Sequence, residues 1–365
     1  MNKFVFGALA FSAGTLCFAN ESEEWPTLDR EIENLASSLS QGGGGMGVSG
    51  FLRSSYTSSS DVALPDPNGG GTNDLGGFSI DNVRLNFDGS VGDFTVHVAV
   101  EGSNDVGIGA GGTFGVAGTT GVLDAWAALN ITEQVAVTMG QFRPPFQGDS
   151  LRDEDQLLFI DRTVTGDWWA NVIGRDQGVM FSGNFDALGW WVALQNGVDA
   201  AGDDLVISAR VAFNAMGTGV GAVEGAYGAS DESNLTLAAG YYDDSNVTDG
   251  DAISFDADYT RGAMAFAFSL VDYGDGLGGV PTVNAAGGET PWDATFSYMF
   301  SPDVWEAAVR YDDFDDVDDT TLITLGINRY VEGHAAKWQV NYSTSDSDVA
   351  ANEADVIQLG LTVSV

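Results

Sequence analysis

From Met46 to Val365 apolar and polar residues alternate with a period of two. In one hairpin, Val83, Leu85 and Phe87 alternate with Arg84, Asn86 and Asp88. After a short turn at 89–92, Phe94, Val96, Val98 and Val100 alternate with Thr95, His97, Ala99 and Glu101. Successive side chains of a strand point to opposite faces, so such runs predict strands with one apolar face. The same pattern recurs at Leu205–Phe213, Ile253–Tyr259, Met264–Leu270, Trp305–Tyr311, Trp338–Tyr342 and Ile357–Val365. The predicted strands are 47–57, 78–88, 91–101, 121–131, 133–143, 175–184, 188–197, 204–214, 235–244, 251–261, 262–272, 291–300, 303–314, 320–331, 334–345 and 355–365. Segments of about 10 residues with one apolar face suit tilted strands that cross lipid around a wet interior.

A soluble β-sandwich also alternates, but its strands are shorter, nearer 5–6 residues. The linkers favour the barrel. Short turns (301–303, 261–262, 332–333) alternate with long polar loops at 61–77, 102–121, 144–174, 273–291 and 312–320. Short periplasmic turns and long extracellular loops are the pattern of an outer-membrane barrel. Val220–Tyr227 also alternates; counting it would give 17 strands and put the termini on opposite sides, so it is read as a periplasmic connection. Sixteen antiparallel strands are expected, with eighteen as the alternative.

Residues 1–19 read as a signal peptide: Lys3, an apolar stretch from Phe4 to Leu16, and a small-residue site that places cleavage after Ala19. Residues 20–45 would form a short periplasmic helix and a linker. Leu28, Ile32, Leu35 and Leu39 repeat with 4-3-4 spacing, an apolar seam for either a coiled coil or a single amphipathic helix. Gln41–Gly45 is a flexible glycine linker. The barrel would occupy 46–365.

Composition narrows the partners. Lys and Arg number 13 against 53 Asp and Glu, for a formal charge of -40. That balance argues against nucleic acid as a partner, because nucleic-acid binding needs basic patches. Cys17 is the only cysteine, so disulfides do not hold the fold. No stretch approaches the roughly 20 apolar residues of a membrane helix, so a spanning chain must close as a barrel.

The run Gly140-Gln141-Phe142-Arg143-Pro144-Pro145-Phe146, then Phe159-Ile160-Asp161-Arg162, then Gly174-Arg175-Asp176-Gln177-Gly178-Val179, resembles the phosphate-selective porin O and P family. The 83–101 hairpin, Leu325–Tyr330 and Asn341-Tyr342 extend the likeness over most of the chain. The resemblance implies a trimeric 16-stranded porin of the outer membrane, often with a heptad segment before the barrel. Its surroundings would be outer-membrane lipid and lipopolysaccharide, its insertion the task of the barrel-assembly machinery, and no cofactor is expected. Two features depart from the family: the chain ends in Val365 rather than an aromatic residue, and lysine, which would serve phosphate selectivity, is nearly absent.

A charge facing lipid costs a few kcal/mol at mid-membrane. Arg53, Arg84, Arg210, Arg310 and Lys337 are therefore expected in the lumen, with Glu101, Asp124, Asp256, Asp258, Glu306 and Asp312; the alternative for any one is a solvated wall residue. The segment 144–174 is the candidate for a loop folded into the barrel, with Leu157–Ile160 as its anchor. Arg143, Arg162 and Arg175 would face Asp153, Glu154, Asp155 and Asp161 across a constriction and set ion preference. Alternation alone turns Arg143 toward lipid, so a bulge near Gly140 or the end of the strand must redirect it. The acid excess predicts a weakly cation-preferring diffusion pore for small ions and solutes. The rival readings are an anion- or phosphate-selective porin and an exported soluble β-protein such as an adhesin. The acidic loops could hold calcium but lack EF-hand spacing. His97 and His334 lie far apart in the predicted barrel, and no triad, metal-ligand spacing or phosphate loop stands out, so no catalysis is expected.

Overall fold

The computed structural model describes residues 46–60, 75–104, 119–197, 205–244, 250–274, 289–349 and 353–365. The predicted signal peptide, the Leu28, Ile32, Leu35 and Leu39 seam and the glycine linker lie outside the described residues, as do parts of the long loops.

Sixteen strands follow one another in order: β1 (Gly47–Ser60), β2 (Leu75–Val91), β3 (Phe94–Asn104), β4 (Thr119–Asn130), β5 (Val135–Phe142), β6 (Asp176–Phe185), β7 (Leu188–Gln195), β8 (Val206–Met216), β9 (Asn234–Asp244), β10 (Gly250–Arg261), β11 (Met264–Tyr273), β12 (Trp292–Ser301), β13 (Trp305–Asp313), β14 (Thr321–Tyr330), β15 (Ala336–Asp346) and β16 (Asp355–Ser364). Each pairs antiparallel with its neighbours and the sheet closes through β1 and β16. At that seam Phe51 faces Ser364 and Ser60 faces Asp355. Gly50 N–H donates to the Val365 carbonyl at 3.0 Å, and Val365 N–H returns to Gly50 at 2.8 Å. Closure leaves no free edge, which is how a sheet satisfies its backbone groups in lipid.

Each predicted strand corresponds to one observed strand, with ends shifted by a few residues. The two faces differ as the alternation requires. On β14, Ile323, Leu325 and Ile327 face outward, Leu325 being 49% exposed, while Thr324, Asn328 and Tyr330 face inward and Asn328 is fully buried. The outward apolar row continues around the barrel through Phe296, Phe266, Phe255, Val211 and Phe181. Val220–Tyr227 forms no strand; it belongs to the connection 217–233 between β8 and β9, at the short-turn end.

Candidate functional site: the loop inside the barrel

Sequence alternation places polar side chains inside, and a barrel of this size leaves them room to meet one another or water. What fills much of that room is the loop 143–175, hereafter the inner loop. Pro144-Pro145 cannot donate to a ladder, so β5 stops at Phe142 and the chain turns away. Two helical turns follow, α1 (Gly148–Leu151) and α2 (Val164–Trp168). Gln147 caps the first by accepting from Ser150 N–H at 2.7 Å, and the Thr163 hydroxyl caps the second by accepting from Gly166 N–H at 3.2 Å. Each cap satisfies a donor that the first helical turn leaves orphaned.

The loop is fastened to the wall by apolar and polar contacts together. Phe146 packs on Trp169 with ring centroids 4.2 Å apart, and Trp169 packs on Tyr242 at 4.9 Å. Its carbonyls then take the wall's donors. The Phe146 carbonyl accepts from Arg210 Nη1 at 2.6 Å and from Ser254 Oγ at 3.1 Å. Leu157 accepts from Lys337 Nζ at 2.5 Å, Leu158 from Asn328 Nδ2 at 2.8 Å and Gln339 Nε2 at 2.9 Å, and Ile160 from Arg53 Nη2 at 2.5 Å. The Arg310 guanidinium donates to the Asp161 carbonyl at 2.9 Å and lies 4.9 Å over the Phe159 ring. Leu157, Leu158, Phe159 and Ile160 are all buried.

The connection 217–233 meets the inner loop from the opposite end of the barrel. Glu224 N–H donates to the Gln156 carbonyl at 3.1 Å, and Leu158 N–H donates to Glu224 Oε2 at 2.7 Å. Ala226 N–H donates to Glu306 Oε1 at 2.6 Å, and the Tyr330 hydroxyl donates to Glu306 Oε2 at 2.6 Å.

Glu154 is the centre of the charge cluster. Its Oε1 accepts from Arg143 and Arg162, each at 2.8 Å, and its Oε2 lies 2.5 Å from Arg84 on β2. Burial opposes ionisation of this carboxyl, but the guanidiniums of Arg143, Arg84 and Arg162 outweigh it and hold Glu154 well below the usual carboxylate range. Arg84 also binds Glu101 at 2.5 Å and Asp153 at 2.7 Å. Arg143 points inward because the strand has ended one residue before it; it donates to the carbonyls of Ser150 and Arg152 at 2.7 and 2.6 Å.

The opposed rows expected from sequence therefore take another form. Arg143 and Arg162 close onto Glu154 of their own loop instead of facing it across a gap, because a buried charge needs a partner within contact distance. Arg175 pairs with Asp124 on β4 at 3.3 Å. Asp155 accepts from Ser364 Oγ at 2.9 Å, and Asp161 accepts from Gln358 Nε2 at 2.8 Å. On the wall, Arg210 meets Asp256 at 2.5 Å and Arg310 meets Asp312 at 2.8 Å. Asp258 takes Arg152 at 2.7 Å. Arg53 donates to Asn82 Oδ1 at 3.0 Å in addition to Ile160, and Lys337 donates to His334 Nδ1 at 3.0 Å. Sequence reasoning passed over Arg152, Asp149 and Glu224, which join the same network: Arg162 Nη1 lies 3.7 Å from Asp149. The 4-residue α1 that seats Asp149 and Arg152 left no periodic signal.

A closed antiparallel barrel with lipid-facing apolar rows and a charged loop held across its interior is the architecture of an outer-membrane channel. Residues 58–255, more than half of the chain, match the model of the phosphate-selective porin O and P family, and the chain belongs to that family. Among solved structures, the outer-membrane channel DcaP of Acinetobacter baumannii is similar at a TM-score of 0.56 with 14% identity, covering 89% of this chain and 98% of its own. OmpT of Vibrio cholerae gives 0.56 with 13% identity over 88% and 98%. A mutant porin of Rh. blastica gives 0.51 with 16% identity over 88% and 100%. No curated protein sequence matches. Family and fold make this chain a porin of the outer membrane.

Proposed function

We propose that the barrel is a passive diffusion channel for ions and small hydrophilic solutes, with a weak preference for cations. One observation carries this reading: at the rim of the inner loop the carboxylates stand in front of their guanidiniums. Arg84 is 2% exposed and its partner Asp153 50%, while Arg175 is 7% exposed and Asp124 16%. Water in the lumen meets the acids first, and exposed carboxylates concentrate cations. The two inward-facing cations that make no carboxylate ion pair among the described residues, Arg53 and Lys337, are buried against the Ile160 and Leu157 carbonyls and offer nothing to a passing anion.

Arg143, Arg162, Arg175, Asp153, Glu154, Asp155 and Asp161 are read as the constriction, and the inward charges of the strands as its wall. A homotrimer is the expected assembly. A solved structure of OmpT of Vibrio cholerae is of its trimer form, and the seam at Leu28, Ile32, Leu35 and Leu39 would reinforce such an assembly. Export by the 1–19 signal peptide and folding by the barrel-assembly machinery complete the reading.

The test is the reversal potential of the purified channel in a planar bilayer across a KCl gradient. A potential of the sign set by cation flux supports the reading. A potential of the opposite sign, strengthened by phosphate, would establish instead the anion selectivity for which the family is named.

A further inference from the structure

We propose that solute crosses this barrel off its axis, along the wall formed by β2–β6, and that Asp88, His97 and Trp126 determine what passes on the short-turn side of the inner loop. The proposal rests on the channel reading above and adds where the path runs.

The argument begins with what is filled. Inward side chains of β10–β16, such as Ser254, Ser297, Thr324 and Asn341, are buried. The inner loop lies over them from one end and the connection 217–233 from the other, joined through Gln156, Leu158 and Glu224. Between loop and wall here, a gap lined by Asp149, Arg152, Glu224 and Asp293 measures about 10 Å³. That is room for about one water, not for a hydrated ion in transit.

Toward the short turns, beyond the contacts of Arg84 and Asp124 with the inner loop, the inward face of β2–β6 is different. Asp88, His97, Trp126, Ala128, Met180 and Ser182 all remain partly or fully exposed. Register places them inside: Arg84 faces Glu101, and four residues further along the same ladder Asp88 faces His97, which faces Trp126. Because the period is two, residues an even step from the buried Arg84–Glu101 pair share its face. This surface is therefore lumen and not lipid.

It also carries recognisable chemistry. His97 Nδ1 lies 2.7 Å from Asp88 Oδ1, and the His97 ring stacks on Trp126 with centroids 5.1 Å apart and an interplanar angle of 26°. Asp88 is 54% exposed, so its carboxylate faces the lumen water. Beside Trp126 stands Gly140, with φ of +139°, where a Cβ would come within 2.6 Å of the Trp126 Cα. Only glycine fits that close approach, and it keeps the wall low next to the indole. A carboxylate beside a half-buried aromatic ring attracts cations, including organic ammonium ions.

The test uses the full chain with Cys17→Ser, which leaves no other cysteine, and single cysteines placed at Ser182 and Ala128 on the open wall or at Ser297 and Thr324 on the packed wall. Folding is checked by heat-modifiable gel mobility, and conductance is read in planar bilayers before and after a charged methanethiosulfonate reagent. Reagent is expected to halve the conductance, or more, for Ser182→Cys and Ala128→Cys and to leave Ser297→Cys and Thr324→Cys within a tenth of their starting value. Asp88→Asn is expected to lower the cation-to-anion permeability ratio about twofold. Block at the packed-wall cysteines, or none at the open-wall pair, overturns the proposed path even though the parent barrel conducts. A parent barrel that conducts nothing overturns the channel reading with it.

Discussion

Strands β8–β16 and strands β2–β6 show the same alternation to lipid, yet their inner faces end in different states. On the first arc, polar side chains are bound by loop carbonyls and carboxylates: Arg210 by Phe146 and Asp256, Asn328 and Gln339 by Leu158, and Arg310 by Asp161 and Asp312. On the second, the inner loop is held at Arg84 and Asp124, and toward the short turns Asp88 stays exposed and His97 and Ser182 half-buried among the described residues. The contrast is one of coverage rather than of strand composition. A polar inner face becomes a protein interior when a segment able to satisfy its hydrogen bonds lies on it, and stays a water channel when none does. Removing the Glu154 clasp, the ion cluster that fastens the inner loop to Arg84, should therefore cost stability, while changes on the exposed short-turn part of β2–β6 should cost conductance and little else.

The largest effect should come from Glu154→Gln. It leaves Arg84, Arg143 and Arg162 buried without their shared counter-charge, a loss of about 3–5 kcal/mol for breaking a buried ionic network from one side. The midpoint of the heat-induced gel shift should fall by many degrees; an unchanged midpoint would refute the clasp. The wild-type clasp should also survive mild acid. Glu154 is held well below the usual range, so its contribution is complete above the unfolded carboxylate range and is lost only as pH falls through its lowered folded value.

His334, in the turn between β14 and β15, supplies a second pH test, of the same sign but in a milder range. Burial first, then the Lys337 charge, lowers it from the ordinary 6.5 to about 3. The unfolded chain then takes up a proton that the folded one refuses. Stability should fall as pH drops from about 6.5 toward about 3, with a slope of up to about 1.4 kcal/mol per pH unit. Urea unfolding at a series of pH values would read that slope, and His334→Gln should flatten it.

Gly225→Ala probes where the two plugs interlock. Gly225 has φ of +93°, and an added Cβ would stand 2.8 Å from Glu306 Oε1 and 2.9 Å from Leu158 Cδ1. A cost of about 1–3 kcal/mol is expected from the backbone strain and the clash. On the open arc, Ser90→Ala should change stability by no more than about 0.5 kcal/mol, because its side chain is exposed. A Ser90→Ala loss as large as that of Gly225→Ala would erase the distinction between the arcs.

The barrel was legible because alternation is local. Val83–Phe87 and Phe94–Val100 declare their faces without reference to anything distant, and parity of the termini excluded Val220–Tyr227 as a strand. The inner loop was legible too, since Pro144-Pro145 ends a strand before an apolar patch at Leu157–Ile160. The partners were not. Arg175 takes Asp124, 51 residues away, and Lys337 takes the Leu157 carbonyl, 180 residues away. Such pairings depend on which strands become neighbours when the sheet closes, and on backbone carbonyls that every residue carries alike. The inward bend of 217–233 had no signature for the same reason: its contacts include backbone N–H groups of Glu224 and Ala226 that any residue could supply.

The carbonyls of Leu157, Leu158 and Ile160 find their donors on β14, β15 and β1, the strands at and beside the seam. In the chain the inner loop precedes β14 and β15, and until those strands are in place the Leu157 and Leu158 carbonyls lack the Lys337, Asn328 and Gln339 donors. Zipping the last hairpin against β1 and seating the loop therefore draw on the same hydrogen bonds, as if the loop were a mandrel for the late strands. Shortening it would leave the cylinder without its former at the moment of closure.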